Sequence, residues 1–342
     1  MKKLSKNTEH SMIVRIITGL ILGLVLGPAG IFGGWYLLAV SFVLVFFAAY
    51  EILALPGKKH YSKFIWVWTY VWMYAMIYWI FFKEENIRNE LFAGNFFSLN
   101  KIYISIFSLV IYLIGLFCFS FLYETFRLDD VFYLFTMVFI VSLGFYSIMY
   151  LRYYPTAFLD KTDPADITLT YNWSISSSML LWFCLFGVWC SDIGAYFVGV
   201  LFGKHPMNPR VSPHKTWEGF FGGVAFSMIF TLSFSAISWY CFKTPLIKTG
   251  GEAPLDGLSF ESQSGWGWGY ILLLSVIIPI MDNIGGFIFS AVKRHFNVKD
   301  WGFILPGHGG IIDRFDSIFV TCSVVAILIS FITNGWTFLQ HL

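Results

Sequence analysis

The chain has 342 residues, of which 57% are hydrophobic and only 12% are charged, and its formal net charge at pH 7 is +2. Its mean hydropathy is +0.70, whereas soluble domains average roughly 45–50% apolar residues, so the composition excludes an ordinary soluble protein. The basic residues are spread over many short segments, which gives no indication of a nucleic-acid surface. We therefore expect an all-α, polytopic integral membrane helix bundle with no nucleic acid among its partners.

Apolar runs of about twenty residues recur along the whole chain, and each can cross a hydrocarbon core of roughly 30 Å as a helix. We predict about nine transmembrane helices, at about 12–32, 33–55, 64–82, 102–123, 131–151, 178–202, 219–242, 268–292 and 317–338. Only Gly33 and Gly34 separate the first two runs. The segments between the runs are short, so we expect no separate water-soluble domain.

The first run predicts the orientation of the chain in the membrane. It follows a basic start and has no small-residue cleavage site near its end, so we interpret it as a retained helix with a cytoplasmic N-terminus. With nine spans, this orientation puts roughly two thirds of the 22 lysine and arginine residues on the cytoplasmic side, in agreement with the positive-inside rule.

The five cysteines all lie within apolar runs, and none forms a C-x-x-C pair. They are Cys118, Cys184, Cys190, Cys241 and Cys322. This pattern favours small packing residues over a zinc site or a disulfide framework.

The two halves of the chain differ in what their loops carry. Residues 1–177 hold about five spans, and the charges of their loops form no recognisable arrangement. Residues 178–342 hold about four spans and two polar segments, 203–218 and 293–316, which both fall on the cytoplasmic side. We predict that the second half is the catalytic region. For Glu51, near the inner end of the second span, two interpretations stay open: it faces the site, or it lies at the membrane interface.

Two carboxylates lie inside otherwise uncharged spans. Asp192 belongs to the sixth span and Asp282 to the eighth. A buried membrane carboxylate costs about 2.5–3.5 kcal/mol on insertion scales, so it usually has a partner or a function. For Asp282, pairing within the bundle and a functional role are both open.

The segment 203–218 predicts an anion-binding loop. Ser212, Lys215 and Thr216 lie close together between two spans, and hydroxyl and ammonium groups can bind an anionic substrate. The glycine, lysine and hydroxyl residues are not in the order of a P-loop, so this segment alone is a weak indication.

The segment 293–316 is the stronger candidate. Asp313 and Asp316 are three residues apart at the start of the last span, on one face of the predicted helix. Mg²⁺ prefers a few carboxylate oxygens and completes its shell with water and substrate phosphates. The alternative interpretation is that both acids favour the positive end of the helix dipole.

A glycine-rich turn precedes these aspartates. Gly309 and Gly310 follow His308, and such a turn, with the helix N-terminus after it, can bring N–H groups to a phosphate. Lys293, Arg294 and Lys299 supply positive charge for a lipid phosphate or a triphosphate, although the positive-inside rule alone would explain these three.

The segment 290–316 resembles the signature of the phosphatidate cytidylyltransferase (CDP-diacylglycerol synthase) family. Its fixed positions are Ser290, Lys293, Arg294, Lys299, Asp300, Pro306, His308, Gly309, Gly310, Asp313, Arg314 and Asp316. The resemblance extends to Asp192–Tyr196 and Ser212–Gly219, and so covers roughly residues 187–317. One position departs: many bacterial members carry an aspartate seven residues before the lysine of the Lys-Arg pair, where this chain has Gly286. Whether Asp282 replaces that acid is open.

The resemblance implies a reaction in which the cytidylyl group of CTP is transferred to phosphatidic acid, with Mg²⁺ as cofactor. It also implies roles for the matching residues. The catalytic set is Asp313, Lys293, Arg294 and Lys215; the substrate-binding set is Ser212, Thr216, Lys299, His308, Gly309, Gly310 and Arg314; the metal set is Asp313, Asp316 and Asp192. The expected partners are CTP, phosphatidic acid and membrane lipids. Whether a second metal ion binds and whether the protein forms a homodimer are open questions.

Two other functions suit the same features. One is a CTP-dependent kinase of a polyprenol-type lipid, and the other is an anion transporter. Transporters tend to show inverted repeats around a site at the membrane midplane, and we find none in the sequence. We expect a multi-pass protein of a bacterial-type plasma membrane in preference to an organelle membrane.

Overall fold

The computed structural model describes residues 6–57, 60–83, 107–153, 173–242, 246, 266–307 and 309–334. Nine helices and two short strands lie in these residues. The helices are α1 Lys6–Phe32, α2 Gly34–Ala54, α3 Lys63–Lys83, α4 Phe107–Leu122, α5 Leu128–Tyr153, α6 Trp173–Phe202, α7 Trp217–Phe242, α8 Trp266–His295 and α9 Ile312–Asn334, and the strands are β1 Pro206–Asn208 and β2 Ser212–Thr216. Each predicted apolar run coincides with one helix, so the all-α class is confirmed.

Six helices of the described residues are long and apolar enough to cross a membrane. They span Gly34–Ala54, Leu128–Tyr153, Ser178–Phe202, Trp217–Ser238, Trp268–His295 and Ile312–Phe331. Shorter apolar stretches lie at Ile17–Phe32 and Leu109–Leu122. The polytopic architecture is therefore confirmed, while the full number of nine spans and the cytoplasmic N-terminus stay predictions.

The break between the first two helices falls where the sequence is weakest in helix formers. α1 ends at Phe32 and α2 begins at Gly34. Gly33 has φ 66° and Gly34 has φ 54°, a left-handed conformation that glycine adopts without the penalty of a Cβ atom. The chain therefore turns at this pair.

The polar segment between α6 and α7 contains a small hairpin. β1 and β2 pair antiparallel, with Pro206 opposite Thr216 and Asn208 opposite Ser212. Glu218 closes the base of the hairpin, because its Oε2 accepts the backbone N–H groups of Lys204 and His205 at 3.1 and 3.2 Å. A segment predicted only as a loop is thus an ordered structure.

The chain divides into two compact units. Unit 1 comprises Met1–Phe145 and Lys293–Asp316, and unit 2 comprises Tyr146–Val292 and Ser317–Leu342. The boundaries fall inside α5, α8 and α9. The division at residue 177 that the sequence predicts separates N-terminal transmembrane helices from a C-terminal catalytic transmembrane region, and it stays a prediction.

In unit 1, the C-terminal part of α2 is buried. Ala48, Ala49, Ile52 and Leu53 are fully buried. Apolar side chains in this part of α2 thus surround the one charged residue that it contains, Glu51, which is itself only 1% exposed. An ionised carboxylate in such surroundings needs hydrogen-bond donors.

In unit 2, α6 and α7 pack closely through glycines. A Cβ atom at Gly194 would lie 2.5 Å from the Cβ of Phe226, and one at Gly222 would collide with Val198. Small residues allow the backbones of membrane helices to approach, which increases their van der Waals contact. This pair supports the hairpin that joins the two helices.

The packing role predicted for the cysteines fits Cys184 and Cys322, whereas Cys118 and Cys241 are exposed. All five are free. Cys184 and Cys322 are buried, with their sulfur atoms 3.7 Å apart, and they serve as small packing residues of unit 2.

Candidate active site

The carboxylate of Asp313 is the centre of the polar cluster in unit 1. Its Oδ1 accepts a hydrogen bond from the Lys293 ammonium at 2.8 Å. Its Oδ2 accepts the backbone N–H groups of Trp301 at 2.8 Å and Gly310 at 2.9 Å. The side chains of Lys293 and Asp313 are only 12% and 6% exposed, so the pair is held in a largely desolvated place, where hydrogen bonds to charged groups are strong.

Local backbone geometry brings Lys293 and Asp313 together. α8 ends just after Lys293, where the Val298 N–H donates to the Lys293 carbonyl at 3.0 Å and Asn297 has φ 55°. This is the geometry by which a left-handed residue ends a helix and satisfies its last carbonyls. The chain then reverses and returns to the start of α9.

The return of the chain depends on glycine. Gly307 has φ 73° and Gly309 has φ 83°, and the Leu305 N–H donates to the Gly309 carbonyl at 2.9 Å. A Cβ atom at Gly309 would lie 3.0 Å from Oδ2 of Asp313. The turn therefore needs glycine both for its conformation and for its approach to the carboxylate.

Glu51 of α2 accepts hydrogen bonds from the backbone that follows this turn. Its Oε1 accepts the N–H of Ile311 at 2.7 Å, and its Oε2 accepts the N–H of Ile312 at 2.8 Å. These donors belong to the N-terminal end of α9, which has no intrahelical acceptors for its first N–H groups. The first of the two interpretations of Glu51 holds: it faces the candidate site. The sequence analysis did not name it as a site residue.

The N–H groups of Gly310, Ile311 and Ile312 thus donate to protein carboxylates. The sequence predicts that the glycine turn and the helix N-terminus bind a phosphate. A phosphate would have to share or displace these carboxylates, so the substrate-binding roles of Gly309 and Gly310 stay predictions. His308 lies outside the described residues.

Three further basic residues of the signature are exposed in unit 1. They are Arg294, Lys299 and Arg314. The guanidinium of Arg294 also donates to the Val298 carbonyl at 3.3 Å. Asp316 is half-buried one turn after Asp313, on the same face of α9. Unit 1 therefore presents exposed cations beside a buried ion pair.

In unit 2, the hairpin positions two of its predicted residues. The hydroxyl of Thr216 accepts the N–H of Gly219 at 3.2 Å, as an N-cap residue of α7 does. That contact leaves the hydroxyl proton free to donate to another group. Ser212 is half-buried at the start of β2. Their substrate-binding roles stay predictions.

Lys215 extends from β2 to α8. Its ammonium donates to Oδ1 of Asn283 at 3.3 Å and lies 5.0 Å from the ring centroid of Phe287. A Cβ atom at Gly286 would lie 2.9 Å from that ammonium. The glycine that replaces the acid of many bacterial members thus leaves space for the lysine.

Asp282 lies beside these residues and is only 2% exposed. Its carboxylate interacts electrostatically with Asp192 and with Lys215. Unit 2 therefore gathers the two intramembrane acids that the sequence singles out, together with one cation. Asp282 thus has ionisable neighbours, as charged residues inside membrane helices usually do.

A preformed cage of metal ligands is absent from the described part of the chain. No group of three or more His, Cys, Asp or Glu residues there is placed to hold a metal ion. Asp313 and Asp316 nevertheless supply the hard oxygen ligands that Mg²⁺ prefers, and Mg²⁺ commonly uses only one or two protein carboxylates. The donor set fits Mg²⁺ better than Zn²⁺, which favours His and Cys.

Comparison with known proteins identifies relatives that match part of the chain. A phosphatidate cytidylyltransferase of Bacillus subtilis is 37% identical over 130 residues, which are 38% of this chain and 39% of that protein. One from Staphylococcus haemolyticus is 39% identical over 142 residues, 42% and 45% of the two chains. One from Mycobacterium leprae is 38% identical over 141 residues, which are 40% of this chain and 36% of that protein. The match thus spans less than half the length of these relatives.

A family model covers much more of the chain. The model of the cytidylyltransferase family matches residues 13–332, which include α2 with Glu51 as well as the signature. This match confirms the resemblance found in the motif at 290–316. The chain therefore belongs to the cytidylyltransferase family.

Proposed function

We propose that the protein transfers the cytidylyl group of CTP to phosphatidic acid, giving CDP-diacylglycerol and pyrophosphate. The observation that carries this proposal is the cluster of unit 1, in which Lys293, Gly310 and Asp313 of the signature meet through hydrogen bonds. The names of the relatives support the same reaction.

The chemistry needs charge neutralisation more than proton transfer. An oxygen of the lipid phosphate forms a bond to the α-phosphorus of CTP, and the bond from that phosphorus to the bridging oxygen of the β-phosphate breaks. Pyrophosphate leaves with the electron pair. Because a phosphate monoester has a second pKa of about 6, the nucleophile is already ionised at neutral pH. The main barrier to the reaction is then the electrostatic repulsion between the lipid phosphate and the triphosphate of CTP.

The chain's own residues lower that barrier by positioning and by charge. Arg294, Lys299 and Arg314 are exposed cations that would bind phosphate oxygens, and guanidinium groups do so with two hydrogen bonds. Asp313 fixes the Lys293 ammonium in a largely buried place. Such preorganised cations stabilise charge that develops in the transition state without reorganising.

In unit 2, Lys215 is a further candidate for anion binding. Asn283 and the ring of Phe287 hold its ammonium, so its position is defined before any substrate binds. The hydroxyls of Thr216 and Ser212 lie on the same strand and would donate to phosphate oxygens.

We propose Mg²⁺ as the cofactor. Asp313 accepts three hydrogen bonds, out of about four lone-pair sites on a carboxylate, so one site stays open to a cation. Asp316 supplies a second carboxylate one turn later. When bound, Mg²⁺ would neutralise triphosphate oxygens. Asp192 belongs to unit 2, and its role as a metal ligand stays a prediction, as does a second metal ion.

The bacterial origin of the relatives supports a location in a bacterial plasma membrane. The six apolar helices of the described residues agree with a multi-pass protein. A homodimer stays a prediction.

A labelling experiment tests the proposed reaction. Purified protein in detergent is incubated with Mg²⁺, phosphatidic acid and CTP that is labelled either in the cytosine or in the γ-phosphate. We expect the cytosine label in a lipid and the γ label in pyrophosphate. In a parallel reaction with a polyprenol in place of phosphatidic acid, transfer of the γ label to the polyprenol would indicate a lipid kinase and contradict the proposal. Absence of any covalent product, with CTP intact, would favour a transporter and contradict the proposal.

A further inference from the structure

The carboxylate of Glu51 connects α2 to the turn that carries the signature. Glu51 is 260 residues before Ile311 in sequence, yet its two oxygens accept the N–H groups of Ile311 and Ile312. We infer that Glu51 is a positioning residue for cytidylyl transfer: it fixes the glycine turn and the start of α9, and so fixes Asp313. The inference rests on the proposed function and extends it to a residue outside the signature.

Three consecutive N–H groups are shared between two carboxylates. Gly310 donates to Asp313, and the next two residues, Ile311 and Ile312, donate to Glu51. Because the three donors lie in one short stretch of backbone, a displacement of the two that Glu51 holds would also move the donor that Asp313 holds. Asp313 in turn holds Lys293. Glu51 therefore acts on the ion pair through the backbone.

The space around Glu51 is closed by glycines. A Cβ atom at Gly310 would lie 2.6 Å from both of its oxygens, and one at Gly302 would lie 3.0 Å from Oε1. Both glycines belong to the segment that runs from α8 to α9. The carboxylate thus contacts this segment on two sides, which a side chain at a membrane interface would not do.

The two hydrogen bonds require two acceptor atoms. A carboxylate offers an acceptor at each oxygen, whereas an amide of the same shape replaces one oxygen with an NH₂ donor. In Glu51→Gln, one backbone N–H would therefore face a donor and lose its partner inside a buried site. Glu51→Asp keeps the charge and both acceptors on a side chain that is shorter by one methylene.

The test compares Glu51→Gln and Glu51→Asp with Glu124→Gln, a matched change at an exposed position of unit 1. Turnover, KM for phosphatidic acid, the apparent Tm in detergent and amide exchange of a peptide that covers 302–316 are measured for each. We expect Glu51→Gln to lower kcat at least about tenfold, with KM within about twofold, because the loss is one of positioning. Exchange of the 310–312 amides should rise, while Tm falls by only a few degrees relative to Glu124→Gln, the scale of one unsatisfied buried donor.

Glu51→Asp should lie between the wild type and Glu51→Gln in both kcat and exchange. Turnover of Glu51→Gln within twofold of the wild type, or unchanged exchange at 310–312, would overturn the inference. So would loss of the thermal transition together with turnover in both Glu51 variants, because that result indicates a role in overall folding. If the wild type itself forms no labelled lipid, the proposed function fails, and the exchange of the 310–312 amides still decides whether Glu51 holds the turn.

Discussion

The ammonium of Lys293 lies 2.8 Å from Oδ1 of Asp313. These residues are separated by 20 positions, and they join the last turn of α8 to the first turn of α9. Each depends on the other for charge compensation, because both side chains are nearly buried. Removal of one partner of such a pair leaves an uncompensated charge, which is costly.

The first prediction concerns Asp313→Asn. The variant keeps the shape of the side chain and loses its charge, so the Lys293 ammonium loses its counter-charge and the proposed metal site loses an anionic ligand. We expect turnover to fall by about 100-fold or more, the scale on which one electrostatic contact of an active site acts. The apparent Tm should fall below that of Asp129→Asn, an exposed acid in the first turn of α5, because the nearly buried Lys293 ammonium loses its counter-charge. Turnover is therefore compared at a temperature at which both variants are folded. Near-wild-type turnover would rule out the proposed role of Asp313.

The second prediction concerns Gly286→Ala. The new methyl group would lie 2.9 Å from the Lys215 ammonium and force it to move. If Lys215 contributes to catalysis, kcat/KM should fall by about tenfold, equivalent to about 1.4 kcal/mol of transition-state stabilisation. Gly269→Ala is the matched control, because it lies on the same helix with open space around it. Equal activity of the two alanine variants would argue against a role for Lys215.

The third prediction concerns the cap of α7. Thr216→Val removes the oxygen that accepts the Gly219 N–H, and loss of an N-cap costs about 1 kcal/mol of stability. The apparent Tm in detergent should therefore fall, whereas Thr216→Ser should keep both the Tm and the activity. A Tm of Thr216→Val equal to that of the wild type would show that the cap contributes little.

The fourth prediction concerns the metal ion. Removal of divalent cations with EDTA should abolish formation of the labelled lipid, and added Mg²⁺ should restore it, because Asp313 and Asp316 supply oxygen ligands. The Mg²⁺ concentration that gives half-maximal formation of the labelled lipid should be higher for Asp316→Asn than for the wild type. Turnover that persists in excess chelator would contradict the cofactor assignment.

Much of the fold follows from hydropathy alone. The sixth and ninth apolar runs, predicted at 178–202 and 317–338, overlap α6 and α9, which each begin five residues earlier, because a helix that crosses a membrane needs about twenty apolar residues in an unbroken run. The break at Gly33 and Gly34 is also visible in the sequence, because only glycine readily adopts the left-handed conformation seen there.

The hairpin of β1 and β2 could not be predicted in the same way. Its strands have three and five residues, which is too short for an alternating pattern to be recognised. The hydrogen bonds of Glu218 to Lys204 and His205 stabilise it, and such contacts between side chain and backbone leave no periodic signal in the sequence.

The candidate site also has one part that the sequence predicts and one part that it does not. The motif predicted that Lys293 and Asp313 act together, because their spacing is part of a recognised signature. The role of Glu51 does not follow from the sequence, because nothing in a single sequence pairs it with donors 260 and 261 residues away. One indirect signal was present: it is a charged residue inside an apolar run, and such a residue usually has a partner.

The close glycine packing of α6 on α7 has a consequence for how the protein responds to temperature. Within lipid, two helices gain little from the hydrophobic effect, so contact between their surfaces holds them together. The hydrophobic effect weakens on cooling, whereas shape-matched contacts such as that of Gly194 with Phe226 do not depend on it. The hairpin that carries Lys215 should therefore keep its position in the cold, where assemblies that rely on water-driven association loosen.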